Sequence, residues 1–557
     1  MSGGYAAKEL CDAGVKTLVL ERGRPVAHGE YPTADLDPWE MKNAGRISQE
    51  VLKKNPIIAK CYAFNNTTEH FFVKDEEQPY IQEKPFDWIR SYQEGGKSLV
   101  WARGGQRWSR YDFDAPGRDG FSIEWPITYD DIAPWYSKVE EFVGWAGNRD
   151  GLDHLPDGEF LPPFEMNCVE KEMKRVIESR YPAGPDNPGR HVVNGRCAHL
   201  TEVRDIHRQQ GRGQCLNRNL CYRGCPLGGY FSSNSSTLPW ARRTGNLTMR
   251  THSVVHSVIY DEEKGRATGV RVVDANTKEM TEYYARVIFL NAACLPTNMI
   301  LLNSTSSRFP DGLGNDSGTL GHYIGFHNYM GSISAGYEGY EDRYYYGRRP
   351  TGATMPPFRN VYQQDDVNFQ GKYLIQTGAS RSGWQRGTRS GLIGEELKQE
   401  VQTPGPWRVS MRMSGEVIPQ YDNHVRLSPD KTDDWGMPQL ITSIDYSDND
   451  HEMAKDFLEQ GAEMLEQVGC TDIQTHNRSQ YQTPGLDIHE MGGARMGKDP
   501  KTSVLNRWNQ IHSCKNVYVT DGACMTTVSV QNPSLTFMAF AARAANHAVD
   551  EMKRGDL

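Results

Sequence analysis

The period of hydrophobic positions changes several times along the chain, and each change marks an element. In residues 2–14, Ala6, Ala7 and Leu10 fall on one helical face and Gly14 ends the pattern, which predicts a helix. Residues 15–20 read Val-Lys-Thr-Leu-Val-Leu, a short buried strand closed by Glu21. Residues 247–259 alternate as a strand, Gly265 and Gly269 flank a hairpin into Val270-Arg271-Val272-Val273, and residues 287–290 predict another buried strand. Residues 331–484 hold Tyr and Trp in alternating stretches and predict an antiparallel sheet. Residues 452–468 predict an amphipathic helix with Met453, Phe457, Leu458, Met464 and Leu465 inward. Residues 516–522 predict a strand running into a turn, and a helix of small residues follows over 537–552.

Helix, strand and Glu21 form the second half of a βαβ dinucleotide-binding unit. The helix start directs free N–H groups at a pyrophosphate, and the acidic residue binds ribose hydroxyls. Glu21 stands 18 residues after Gly3, close to the usual spacing. Gly3 takes the third glycine position of G-x-G-x-x-G. The first strand and two glycines would precede Met1, so the natural chain is expected to start upstream. The alternative is a genuine Met1 and a sheet without its central strand, which would expose strand edges.

The chain has 557 residues, enough for two or more packed regions. Its net charge of −9, with signs interspersed, excludes the basic face of a nucleic-acid binder. No run approaches a membrane span, and the N-terminus lacks the layout of a secretory signal. The 27 Tyr and 12 Trp suit a sugar-binding surface and equally an ordinary core. Eleven cysteines are scattered apart from one cluster, with no disulfide framework.

Chemistry concentrates near the C-terminus. Residues 487–497 read Asp-Ile-His-Glu-Met-Gly-Gly-Ala-Arg-Met-Gly, and 516–522 read Asn-Val-Tyr-Val-Thr-Asp-Gly. Gln531-Asn532-Pro533-Ser534-Leu535-Thr536 then opens the last helix. Over roughly seventy residues this run resembles the C-terminal segment of glucose–methanol–choline (GMC) oxidoreductases. The resemblance implies an α/β fold: a discontinuous Rossmann-like FAD-binding domain (1–330 and 485–557, with a loop region inserted at 150–230) and an α+β substrate domain (331–484) with a six-stranded-type antiparallel sheet. It implies that His489 and Asn532 are catalytic. A neutral imidazole suits removal of a hydroxyl proton while hydride leaves for flavin N5, and the Asn amide holds the same oxygen. Asp521 and Gly522 would bring backbone to the flavin. The helix start at Asn532 and Pro533 would face the flavin's pyrimidine end, where negative charge develops.

Gly95-Gly96-Lys97-Ser98-Leu99-Val100-Trp101, followed by Gly104-Gly105, looks like the family's second flavin-contacting loop, with Gly95, Gly96 and Ser98 at the ring. No His or Cys lies inside it, so FAD is expected to be non-covalent. Val255 matches a family valine whose backbone contacts adenine. Residues 291–294 depart from the family's usual Ala-Ala-Gly turn.

Cys215, Cys221, Cys225 and Pro226 form C-x5-C-x3-C-P in a polar loop. Close thiols before proline are an iron–sulfur arrangement, and similar insertions in cytochrome-linked relatives imply a [3Fe-4S] cluster, with Cys197 or His199 as a further ligand. A local disulfide plus a free thiol, or a zinc site, are the other readings. No C-x-x-C-H is present, so electrons would leave to a partner.

The branch that the chain most resembles is the bacterial glucoside 3-dehydrogenases, which oxidise C3 of glucose units to 3-keto sugars. Trp125-Pro126-Ile127-Thr128-Tyr129-Asp130-Asp131 adds to that likeness. The resemblance implies a sugar or glycoside substrate, a small partner subunit, a cytochrome c-type acceptor and a bacterial periplasm. The rivals are another sugar or polyol dehydrogenase, a pyranose oxidase-like enzyme, and a non-catalytic sugar-binding subunit without FAD.

Overall fold

The computed structural model describes all residues except 38 and 344–348, so that part of the expected 331–484 sheet region lies outside the described residues. The first helix spans Ser2–Asp12 and leads into the strand Thr17–Leu20. Its small residues let it pack closely on the last helix, Ser534–Arg554: Tyr5 and Ala6 share a core with Ala541 and Ala542, and Leu10 meets Ala545 and Val549. Thr17–Leu20 pairs in parallel with Leu247–Arg250, and Ile288–Leu290 pairs in parallel with Cys514–Val519. Parallel pairs with helices against them are the α/β architecture that the family resemblance implied.

The single strand expected at 247–259 is two. Leu247–Arg250 joins the parallel pair, whereas Ser253–Asp261 opens an antiparallel three-stranded meander with Arg266–Asp274 and Met280–Tyr284. His252 lies between them at φ 55°, and that left-handed residue redirects the chain. Uninterrupted alternation conceals such a break, because both pieces keep their period.

The large antiparallel sheet runs in the order Thr471–Asn477, Gly331–Tyr337, Trp407–Glu416, Tyr373–Arg381, Ala353–Met355, Val193–Asn194, with His327–Asn328 also paired to Trp407–Glu416. It therefore has seven strands rather than the six expected. Its apolar face is covered by the helices Asp448–Val468 and Cys168–Arg180, through Met453, Phe457, Met464, Val169, Met173 and Ile177. Leu458, expected inward, is only partly buried. The longer helix starts at a capping box: Ser447 N and Oγ both donate to Asp450 Oδ2 at 2.8 Å. It stops at Gly469, φ 83°. Among the described residues, no helix is long and apolar enough to cross a membrane.

Candidate active site

One cleft of about 1030 Å³ collects segments far apart in sequence. Gly3 lines it from the start of the first helix, and Glu21 from the end of the first strand. Gly95, Gly96 and Ser98 line it from a tight loop, and Val255 from the meander. Asp521, Gly522, Asn532 and Pro533 enter from the C-terminal segment, and His489 stands in the same wall. Cys215, Cys221 and Cys225 are not in that wall.

Local geometry explains several of these residues. Gly95 has φ 88°, and a Cβ there would fall 1.6 Å from Asn234 Oδ1, so only glycine fits. Glu21 Oε1 accepts from Gly23 N–H at 2.8 Å, and burial pushes its carboxyl up to about 7. Asp521 spends its side chain on the protein: Oδ1 accepts from Ala523 N–H at 2.9 Å, and Oδ2 accepts from Ala293 N–H at 2.9 Å and Thr297 O–H at 2.6 Å. It thus braces the ends of two parallel strands and fixes the turn at 291–294, in which Ala293 has φ 80°. Asn532 donates one amide N–H to Gly104 O at 3.3 Å, which sets the plane of the group and leaves a second N–H.

The histidine at 489 has a partner that the sequence reading missed. His327 Nδ1 lies 2.9 Å from His489 Nδ1, and the His327 backbone N–H donates to Asp487 Oδ2 at 2.9 Å. His327 is buried and His489 is half-buried. Burial lowers His327 to about 4; burial first, then the charges of His327, Lys97 and Arg412, hold His489 well below the ordinary range. Both are therefore neutral near pH 7, and their tautomers follow from their partners. His327 Nε2 faces the Val528 carbonyl oxygen at 3.4 Å, which can only accept, so Nε2 carries the proton. His327 Nδ1 is then a lone-pair nitrogen, and His489 Nδ1–H must be the donor to it. Ser414 Oγ also approaches His327 Nδ1 at 3.4 Å, but its hydroxyl donates to Val530 O at 2.9 Å. His489 Nε2 is left with a free lone pair, in a residue that lines the cleft. This arrangement can accept a proton. The backbone before it is strained: Ile488 has φ 64°, which a β-branched residue rarely adopts.

Among the described residues, His327, Asp487 and His489 are the one group of three His, Cys, Asp or Glu side chains with ligand atoms all within 4.8 Å. The cysteine loop does not close in that way. Cys221 Sγ lies 3.9 Å from His199 Nε2, Cys225 Sγ accepts from Gly229 N–H at 3.4 Å, and Cys215 Sγ lies 3.7 Å from Asn217 Oδ1. All three are free thiols. Arg103 connects this loop to the cleft: it lines the cleft wall, and its guanidinium sits over the Tyr222 ring at 4.6 Å.

Two family models match the chain, both described as GMC oxidoreductase, over residues 127–325 and 419–541. The chain belongs to the GMC oxidoreductase family. It is 25% identical to the 2-methyl-1,2-propanediol dehydrogenase of Mycolicibacterium austroafricanum, over 98% of this chain and 93% of that protein. It is likewise 25% identical to the fructose dehydrogenase large subunit of Gluconobacter japonicus, over 83% and 81%. A pyridoxine 4-oxidase from Mesorbium loti shares the fold at 17% identity, with a TM-score of 0.58 over 98% of this chain and 97% of that one. GMC oxidoreductases are FAD enzymes, and the cleft suits a dinucleotide. A helix start, an acidic strand end and a loop closed to any Cβ at Gly95 follow one another along its wall.

Proposed function

We propose that this GMC oxidoreductase binds FAD non-covalently and oxidises a hydroxyl of a sugar or glycoside. The observation that carries the reading is the His327–His489 pair, which presents an unprotonated Nε2 in the wall of the FAD-sized cleft. Bound FAD supplies the hydride acceptor. Gly3 at the helix start and Glu21 would hold pyrophosphate and ribose, Val255 the adenine, and the 95–98 loop and Gly522 the ring system. His489 Nε2 takes the hydroxyl proton as hydride leaves the same carbon, and the free N–H of Asn532 holds the substrate oxygen. A depressed pKa lets His489 pass that proton on before the next turnover.

The finer reading is oxidation at C3 of glucosides to 3-keto sugars, with electrons passed to an external acceptor. Cys215, Cys221 and Cys225 would hold a [3Fe-4S] cluster for that transfer. Three free thiols on one loop, joined to the cleft through Arg103, support it.

The test is anaerobic addition of methyl β-glucoside to the FAD-loaded chain. Bleaching of the flavin bands, with a ketone located at C3 by NMR, is the expected result. An unbleached flavin across a panel of glycosides and sugars would remove sugar oxidation from consideration. Peroxide formed at the turnover rate would replace the dehydrogenase reading by an oxidase. Iron and sulfide analysis, with electron paramagnetic resonance of the oxidised protein, decides the cluster.

A further inference from the structure

The seven-stranded sheet turns a polar face away from its covering helices. Along Trp407–Glu416, Trp407, Val409, Met411 and Met413 are buried in the core behind, while Arg408, Ser410 and Arg412 are exposed on the other face. Arg412 stands in register between Gln376 and Ser332, and Ser410 between Gly378 and Ser334. No apolar side chain occupies those positions.

Arg412 lies outside the cleft wall described above but close to the histidine pair. Its guanidinium lies 4.7 Å from the Tyr329 ring centroid, and that ring lies 6.4 Å from the His489 ring. On the same face, two residues further, Ser414 touches His327 Nδ1 at 3.4 Å. Two residues of extended strand span about 7 Å. Among the carboxylates on nearby elements, Asp456 pairs with Arg359, Asp112 with Lys372 and Glu490 with Lys97, while Asp487 accepts from the His327 N–H through one oxygen. Among the described residues, no carboxylate pairs with Arg412.

A fixed positive charge beside a catalytic base opposes protonation of that base, and His489 feels it. A neutral polyol cannot neutralise that charge. A carboxylate on the substrate neutralises the guanidinium and accepts its forked N–H donors.

We propose that Arg412 is the anion-binding residue of the substrate site, and that the preferred substrate is a sugar acid whose carboxylate lies within one hexose length of the hydroxyl oxidised. This rests on the reading of the cleft as a sugar-oxidising site and names its substrate class.

The experiment uses the FAD-loaded chain and two acid–neutral pairs: methyl β-glucuronide with methyl β-glucoside, and gluconate with glucitol. Binding is measured by calorimetry and, separately, anaerobic flavin bleaching is recorded. At least one acid should bind about 10- to 100-fold more tightly than its neutral counterpart. Arg412→Gln should remove most of that preference, acting on KM more than on kcat. Arg412→Lys should restore part of it, and added salt should weaken it. Equal binding within both pairs, or an Arg412→Gln loss of the same size for acid and neutral ligands, would overturn the proposal. Arg412-dependent acid binding without bleaching would uphold the anion site while removing the oxidation chemistry. Bleaching by the neutral sugars with no acid preference would do the reverse.

Discussion

His327 Nδ1 and His489 Nδ1, on residues 162 positions apart, lie 2.9 Å from each other, and this contact decides which nitrogen of His489 is free to act as a base. Replacing His327 with Leu leaves the His489 Nδ1–H buried without an acceptor and its tautomer unset. Flavin reduction in stopped flow should slow about 100-fold with flavin content kept and KM little changed. His327→Gln, whose side-chain oxygen can accept that N–H, should recover part of the rate. A Leu variant as fast as the parent would show that the tautomer is held by something else.

His489→Ala removes the proton acceptor itself. Reduction should fall by about 10²- to 10⁴-fold while the flavin spectrum remains. Asn532→Ala should slow the same step by a smaller factor, because it removes a hydrogen bond to the oxygen and leaves the base in place. Loss of flavin from either variant, measured as the flavin-to-protein ratio, would point to a binding role instead.

Asp521 accepts three hydrogen bonds, from Ala293, Thr297 and Ala523. Asp521→Ala leaves those buried donors unpaired and should cost on the order of 3 kcal/mol, read as a lowered urea midpoint. Flavin occupancy should fall with it, since the brace sets the turn at 291–294 in the cleft wall.

Glu416 sets a pH dependence. Burial pushes its carboxyl up to about 7 from an ordinary value of 4.5, against the opposing charge of Lys372. Between pH 4.5 and 7 the folded chain holds this proton and the unfolded chain does not, so stability from this group falls as pH rises through that window. Glu416→Gln stays neutral at all pH. Relative to the parent it should gain stability from pH 5 to 8, by about 3 kcal/mol at most. Urea midpoints of the two proteins that run parallel across this range would contradict the assignment.

Gly95→Ala places a Cβ 1.6 Å from Asn234 Oδ1 at φ 88°. The loop must move, and the purified variant should lose most of its flavin. Gly120, at φ 72° with open space for 4 Å around the place a Cβ would take, provides the control: its Ala variant should lose about 1–2 kcal/mol from backbone strain and still keep flavin.

Much of the scaffold was legible locally. The helix at 2–12 with Gly14 as its stop, the strand leading to Glu21, and the helix predicted at 452–468 and found at 448–468 follow from apolar period. The segments with His489, Asp521 and Asn532 were legible because each keeps its residues within a few positions of one another. His327 had no such signal. Phe326-His327-Asn328 reads as any short strand, and only its pairing with Trp407–Glu416 carries it to His489.

The sequence by itself determined most element types, because helical and strand periods are properties of neighbouring residues, and its clustered motifs carried the family resemblance that implied the α/β class and the site residues. Tertiary structure alone decided that Val193–Asn194 extends the large sheet, that one alternating run divides at His252, that the Asp521 carboxylate braces two strand ends, and that His489 is paired and neutral. Those outcomes depend on distance and burial between residues far apart in the chain. A titration or a tautomer is set by the dielectric and the partners that folding brings to a side chain.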